Sequence, residues 1–332
     1  MELSAPIYVA GHRGLVGSAL VRRLRRGGYT NLILPTHSEL DLTDRQAARD
    51  FLQKERPEYI FLAAAKVGGI LANSTDPADF IGRNLMIQTN VIHEGYGIGV
   101  RRLLLLGSSC IYPKYAPQPI KEEYLLTGPL EPTNRPYAVA KIAGIEMCWA
   151  YNRQFGTHFL AAMPTNLFGP GDRYDLHDSH VVPALLRKMH EAKANQAAEV
   201  SIWGSGAPLR AFLYSDDAAD ACVFLMNLPD DALDCIVQDS TPPIVNVGCD
   251  KEITIRDLAE LIADIVGFKG RLVFDLSKPD GTPRKLLDIS RLAALGCTPK
   301  TSLREGLMRA YRDFSENVTK SGRPAVVSTE LP

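Results

Sequence analysis

The stretch Leu103-Leu104-Leu105-Leu106-Gly107-Ser108-Ser109-Cys110 constrains this chain more than any other. Four consecutive leucines read as a strand buried on both faces. Such strands occur in parallel sheets covered by helices on each side. The break into Gly-Ser-Ser-Cys falls at the strand's carboxyl end, where open α/β sheets bind their ligands. A hydroxyl on Ser108 and a thiol on Cys110 delivered there are candidates for chemistry. By itself the stretch reads equally as a serine-rich turn beside a buried cysteine, because free cysteine is among the most buried residue types.

The N-terminus supplies a second element of the same class. Ile7-Tyr8-Val9-Ala10 reads as a short buried strand, and Ser18 to Leu24 follows a helical period. Between them lies Gly11-His12-Arg13-Gly14-Leu15-Val16-Gly17. Strand, glycine turn and helix form the context of a dinucleotide-binding fingerprint, although the spacing is G-x-x-G-x-x-G. Gly11 permits the tight turn, Gly14 lets a pyrophosphate approach the helix N-terminus, and Gly17 lets helix and strand pack closely. After the second strand, Asn31 to Leu34, no acid appears until Glu39. An acid just after that strand holds an NAD ribose, so its absence leaves room for a 2′-phosphate. Arg13 could supply the charge, or could be a solvated loop residue.

Asp41-Leu42-Thr43-Asp44 opens a helix with N-cap chemistry. Tyr59 to Ala65 reads as the third strand, and a long helix from about Pro77 to Gly97 carries Asn84 and Asn90. Beyond the leucine run and a proline-rich loop comes Tyr137-Ala138-Val139-Ala140-Lys141. On a helix, residues four apart share a face. An ammonium beside a phenol favours phenolate, so the expected effect of Lys141 is a lowered Tyr137 pKa. Tyr137 would then donate a proton to a carbonyl receiving hydride, with a serine hydroxyl polarising the same carbonyl.

Together the glycine turn, Ser108 and Tyr137-x-x-x-Lys141 resemble the extended short-chain dehydrogenase/reductases. Longer stretches are similar to the members of that superfamily that epimerise and reduce GDP-sugars. They are Gly11 to Ser18, Ala63 to Ile70, Gly107 to Lys114, Pro132-Thr133-Asn134, Pro164 to Pro170 and Lys278 to Lys285. The likeness runs from about Ile7 to Phe314. It implies a 3,5-epimerase and NADPH-dependent 4-reductase that turns GDP-4-keto-6-deoxy-D-mannose into GDP-L-fucose. It implies Ser108, Cys110, Tyr137, Lys141 and His180 as the catalytic set, with Cys110 and His180 serving epimerisation. It places NADP(H) against Gly11, His12, Arg13, Gly14, Leu15, Val16, Gly17, His37, Asp41, Leu42, Ala64, Leu106, Gly107, Ser108, Ser109, Lys141, Pro164, Thr165, Asn166, Leu167 and His180. It gives the GDP-sugar to Lys188, Trp203, Arg210 and Asp280. Related enzymes often carry a basic residue such as Arg where His37 stands, so NADPH is expected to be preferred less sharply over NADH.

The expected fold is therefore α/β: a Rossmann doubly wound parallel sheet over residues 1–170, then a smaller C-terminal α/β substrate-binding subdomain over 171–316. A strand near 244–248 returns to the main sheet, and 317–332 reads as a disordered tail. His177 and His180, three apart, have no thiol or carboxylate cluster nearby, so no metal is expected. With 37 basic and 38 acidic residues, no bulk field draws the chain to nucleic acid or an anionic membrane. The N-terminus lacks a signal-peptide pattern, and six scattered cysteines without C-x-x-C suit a reducing cytoplasm. The superfamily resemblance implies a homodimer through helices of the Rossmann part. A GDP-colitose-forming enzyme, a simple 4-epimerase and a non-catalytic dinucleotide sensor remain as alternatives. The sensor is disfavoured by the intact Tyr137–Lys141 pair.

Overall fold

The computed structural model describes residues 1–175, 179–237, 241–278 and 280–321. His177, named above, lies outside them. The first half alternates strand and helix: β1 (Ile7–Ala10), α1 (Leu15–Arg26), β2 (Leu32–Ile33), α2 (Arg45–Glu55), β3 (Tyr59–Leu62), α3 (Ile70–Thr75), α4 (Pro77–Gly97), β4 (Arg102–Leu106), α5 (Arg135–Phe155) and β5 (Phe159–Pro164). There follow β6 (Asn166–Phe168), α6 (Val181–Ala194), β7 (Glu199–Trp203), β8 (Leu209–Tyr214), α7 (Ser215–Met226) and α8 (Asp230–Asp234). The chain ends with β9 (Ile244–Val247), β10 (Glu252–Thr254), α9 (Ile255–Val266), β11 (Arg271–Asp275), β12 (Arg284–Lys285), α10 (Ser290–Ala294) and α11 (Leu303–Ser321).

Six parallel strands form the main sheet in the order β2-β1-β3-β4-β5-β9. The alternation of side chains divides the core in two. Val9, Phe61, Leu104, Leu160 and Val245 join one apolar cluster with α1 and α7. Tyr8, Ile60, Leu105, Ala161 and Ile244 join the other with α2, α4 and α5. Because both faces are covered, the strands need no polar residues, and every residue of β1, β3 and β4 is buried. This is the doubly wound Rossmann arrangement that the leucine run requires. Strand order reverses between β1 and β3, so the glycine turn and the Ala63–Ala65 loop open at the switch point. The expected third strand stops at Leu62, and Ala63–Ala65 continue as loop.

A third cluster, built from α6, β7, β8, α9 and α11, is the core of the smaller C-terminal part. Its sheets are β10-β8-β12 with β6 on β8, and the pair β7–β11. The division at residue 170 is not a clean cut along the chain. β6 already pairs with β8, whereas α7 returns to pack on α1 through Arg22–Asp216 (2.5 Å) and Arg23–Asp220. The stretch expected as a tail from 317 is also corrected. α11 continues the amphipathic pattern of Leu307, Ala310 and Phe314 and runs to Ser321. Residues 322–332 lie outside the described residues.

Close approach of α1 to β1 depends on two glycines with different duties. Gly11 has φ +79°, and a Cβ there would stand 2.7 Å from the Ala64 nitrogen. A Cβ on Gly17 would stand 2.0 Å from the Gly11 carbonyl oxygen, a backbone atom that cannot swing aside. On Gly14 it would meet only the same oxygen at 3.5 Å, an ordinary contact. Gly17→Ala is therefore expected to cost about 1–3 kcal/mol or more through overpacking. Gly14→Ala should cost under about 1 kcal/mol, as a change of N-cap residue. Thermal melts of the two variants without ligand check the ranking; equal melting temperatures would contradict it.

Candidate active site

Carboxyl ends of the main-sheet strands bring the proposed chemistry to one crevice. β4 ends at Leu106, and Ser109–Ile111 form a single 3₁₀ turn beyond it. Ser108 precedes this turn with extended backbone, and its Oγ lies 2.8 Å from Cys110 Sγ. Both side chains project from the same turn because the residues are two apart. Cys110 is buried, at 7% exposure.

The partner element is α5, which starts just ahead of Tyr137 and carries Lys141 one turn on. Lys141 is 3% exposed, and its Nζ donates to the Leu106 carbonyl at 2.7 Å. This bond ties helix to strand end and keeps the ammonium 5.8 Å from the Tyr137 ring centroid. Tyr137 hydrogen-bonds Ser108, and its ring packs edge-on against the buried Phe80 of α4 at 6.2 Å. The expected pKa effect is reversed for Tyr137. The enclosing protein pushes the phenol above its usual value, the Cys110 charge adds to this, and the Ser108 hydrogen bond only partly opposes it. Burial instead acts on Lys141, whose pKa falls to about 8, with Cys110 pulling it back up. Desolvation outweighs the ammonium–phenol attraction because both groups are enclosed.

Sequence reasoning gave no role to Lys285, although it lies in one of the quoted stretches. β12 pairs parallel with β8 so that Lys285 aligns with Arg210. Burial lowers the Lys285 pKa, Cys110 raises it and the Arg210 charge lowers it, so Lys285 feels both groups. The signal available was its position five residues after Asp280. The Asp280 carboxylate accepts from Ser205 N at 2.7 Å and Ser205 Oγ at 2.8 Å. It clamps the turn after β7 and so helps to place Trp203. Trp203 is 55% exposed, with the ammoniums of Lys188 and Lys278 at 5.8 Å and 5.4 Å from its ring. Desolvation lowers both Lys188 and Arg210.

His180 is the N-cap of α6. Solvent still reaches it, yet the protein around its ring displaces enough water to lower its imidazole pKa. No hydrogen bond among the described residues joins it to Ser108, Cys110 or Tyr137. Pro164 ends β5, and Leu167 is half-buried in β6. Thr165 Oγ1 and Asn166 Nδ2 both donate to the Ala211 carbonyl at 3.2 Å, which fixes that wall.

Of the residues expected around a dinucleotide, Gly11 to Gly17 form the turn between β1 and α1 at the switch point. No side chain caps α1, whose N-terminus begins at Gly14 with no acid in its first turn. Val16 is half-buried there. His12 Nδ1 is buried without a partner in the same turn. An uncapped helix end and an orphaned polar atom in one glycine cradle fit a pyrophosphate ligand. Arg13 and His37 are exposed nearby, while Glu39 is drawn back onto Thr36 by two 2.7 Å bonds. Asp41 accepts from Thr43, and Leu42 is buried. Asn84 bonds both backbone groups of Lys66 at 2.9 Å and so holds the loop after Ala64. Gly107 faces Met163, and Ser109 is buried.

Comparison with known proteins agrees with this architecture: residues 7–248 match the NAD dependent epimerase/dehydratase family. The chain belongs to that family. Within it, the chain is 61% identical over 320 residues to a putative GDP-L-fucose synthase 2 of Arabidopsis thaliana, covering 96% of this chain and 94% of that one. It is 53% identical to a GDP-L-fucose synthase of Escherichia coli K12, over 94% of this chain and 97% of the relative. A solved GDP-mannoheptose C4 reductase of Campylobacter jejuni with NADP bound superposes with a TM-score of 0.86 at 39% identity, over 95% and 99% of the two chains.

A cation buried at about pKa 8 implies a stability cost that this family site carries. Between pH 8 and 10.5 the unfolded chain keeps the Lys141 proton and the folded chain releases it, so folding is favoured as pH rises. Below pH 8 the full cost of the buried charge is present. Lys141→Met, although inactive, is expected to melt no lower than the parent at pH 7, with its relative advantage shrinking by pH 9.5. A variant several degrees less stable at both pH values would refute this.

Proposed function

We propose that this chain converts GDP-4-keto-6-deoxy-D-mannose to GDP-L-fucose, acting as a 3,5-epimerase and an NADPH-dependent 4-reductase. The observation that carries the reading is the 2.8 Å contact between Ser108 Oγ and Cys110 Sγ at one strand end. It puts a proton-shuttling thiol beside the hydroxyl that would hold the substrate's ketone oxygen. The names of the relatives at 61% and 53% identity support the same substrate.

The ketone at C4 acidifies the hydrogens on C3 and C5. In this reading Cys110, as thiolate, takes such a proton, and the C–H electron pair moves to the ketone oxygen. Ser108 and Tyr137 hydrogen-bond that oxygen while it carries charge. His180 then returns a proton from the opposite face, which inverts the carbon. Bound NADPH supplies hydride to C4. The charge again develops on the same oxygen, and Tyr137 delivers the proton to it. Lys141 orients Tyr137 by anchoring α5 to Leu106. Lys188, Lys285 and Arg210 provide cations for the diphosphate, and Trp203 an apolar face for the nucleotide. His12, Arg13 and His37 stand where the NADPH phosphates would lie.

The six cysteines are all free thiols, which supports a reducing, cytoplasmic setting. No helix among the described residues is long and apolar enough to cross a membrane. α4 and α5 expose Met86, Val139 and Phe155, and Tyr96 stacks on Phe155 at 4.3 Å. This apolar surface supports a homodimer through the two helices.

Two variants separate the half-reactions. Incubated with the keto-sugar and NADPH in deuterium oxide, the protein should yield GDP-L-fucose labelled at C3 and C5. Cys110→Ser should lose the label while retaining some direct C4 reduction; label entering at the wild-type rate would remove Cys110 as the base. Tyr137→Phe should bind NADPH normally and lose about 10²–10⁴-fold in ketone reduction. A rate within threefold or so of the parent would exclude Tyr137 as the proton donor.

A further inference from the structure

Asn246 sits in the middle of β9 with no exposed surface. A buried strand position on this sheet would ordinarily take an apolar residue, as its neighbours Val245 and Val247 show. A buried amide costs free energy unless its groups are paired. Here they are. Asn246 Oδ1 accepts from Tyr112 Oη at 2.7 Å, and Nδ2 donates to the carbonyls of Ile120 (3.0 Å) and Asp288 (3.1 Å). Its backbone N–H donates to Glu122 Oε1 at 2.9 Å.

These bonds fasten three distant segments at one point. Tyr112 follows directly on the 3₁₀ turn that carries Cys110. Ile120 lies on the returning loop. Asp288 closes the segment that carries Lys285. The last two are also joined by backbone bonds, Ile120 N to Leu286 O at 2.7 Å and Asp288 N to Ile120 O at 2.8 Å. The segments that carry Cys110 and Lys285 are therefore tied to one amide, through Tyr112 and through Asp288. The Lys285 segment is also held by its pairing with β8 and by Leu286 N donating to Gln118 Oε1 at 2.8 Å, whereas the sulfur's own bond is to Ser108, within its turn.

We propose that Asn246, acting through Tyr112 and through the Asp288 segment, is a positioning residue for the epimerisation half-reaction, fixing Cys110 relative to Lys285. The proposal rests on Cys110 being the epimerisation base. Hydride transfer depends on a different anchor, the Lys141–Leu106 bond. Loosening the Asn246 node should therefore slow proton exchange at C3 and C5 more than hydride transfer at C4. A merely structural role would lower both alike.

The test uses the full-length protein with Tyr112→Phe, which keeps the ring and removes one hydrogen bond, and Asn246→Asp, which keeps the shape and the acceptor for Tyr112. Exchange is read as deuterium entry into the keto-sugar without NADPH. Hydride transfer is read as single-turnover oxidation of GDP-L-fucose by NADP+, which requires no epimerisation. For Tyr112→Phe the expected result is about a tenfold fall in exchange, the size of one lost buried hydrogen bond, with oxidation within about twofold of the parent. Asn246→Asp should shift the ratio further in the same direction. If Asn246→Asp does not fold, Tyr112→Phe alone decides. An unchanged ratio, or equal losses in both reactions, overturns the positioning role. Cys110→Ser run alongside separates the two readings. If it still exchanges at the parent rate, the base assignment fails and the proposal with it. If it does not exchange and Tyr112→Phe leaves the ratio unchanged, only the positioning role is lost.

Discussion

The Tyr137 side of the crevice depends on one buried bond, from the Lys141 ammonium to the Leu106 carbonyl. Leu106 is the last residue of the central strand, and its carbonyl has no ladder position to fill beyond the sheet's end. A cation taken from water to satisfy it is expensive, and the lowered Lys141 pKa measures that expense. The return is geometric. Together with the apolar packing of α5 and the Gln88 bond to the Ala140 carbonyl, this contact holds α5 over the end of β4, so Tyr137 meets Ser108 although they are distant in sequence. Active sites are where such locally unfavourable choices are expected, since the surrounding fold supplies the stability.

The strand–helix alternation and the site's central pair were legible because each is a local pattern. Four leucines ending in Gly-Ser-Ser read as a doubly covered strand, and four-residue spacing puts Tyr137 and Lys141 on one helical face. The direction of the Tyr137 pKa was misread for a physical reason. Spacing reports that two groups are neighbours but not how much water remains, and desolvation governs here. Lys285 and Asn246 were passed over because their meaning is entirely long-range. Asn246 looks like an interruption in an apolar strand until Tyr112, Ile120 and Asp288 are seen around it. Asp280 shows a further long-range role that its sequence neighbours do not announce, since its carboxylate also holds the Ser205 turn.

The site is a seam between two cores. Ser108, Cys110, Tyr137 and Lys141 come from the main sheet and its helix, while Lys188, Trp203, Arg210 and Lys285 come from the smaller part. The chain stitches that seam repeatedly: β6 leaves, α7 and β9 return, and β10 to β12 leave again. Among the described residues the two parts are joined by several crossings of this kind, which hold the cations and the hydroxyls in one frame. Rigid placement is what a reaction with two epimerisations and one hydride transfer at adjacent carbons demands.

The same stitching has a consequence for synthesis of the chain. β5 is completed at Pro164, but its outer edge is covered only when β9, Ile244–Val247, has been made. Until then a nascent chain holding an otherwise finished five-stranded sheet presents Ala161 to Pro164 as an open, apolar edge. Such edges invite pairing with other chains. The intervening segment, long enough to build α6, β7, β8 and α7, must emerge from the ribosome while that edge waits. Growth conditions that slow translation across this segment therefore lengthen the window for aggregation, whatever the stability of the finished fold.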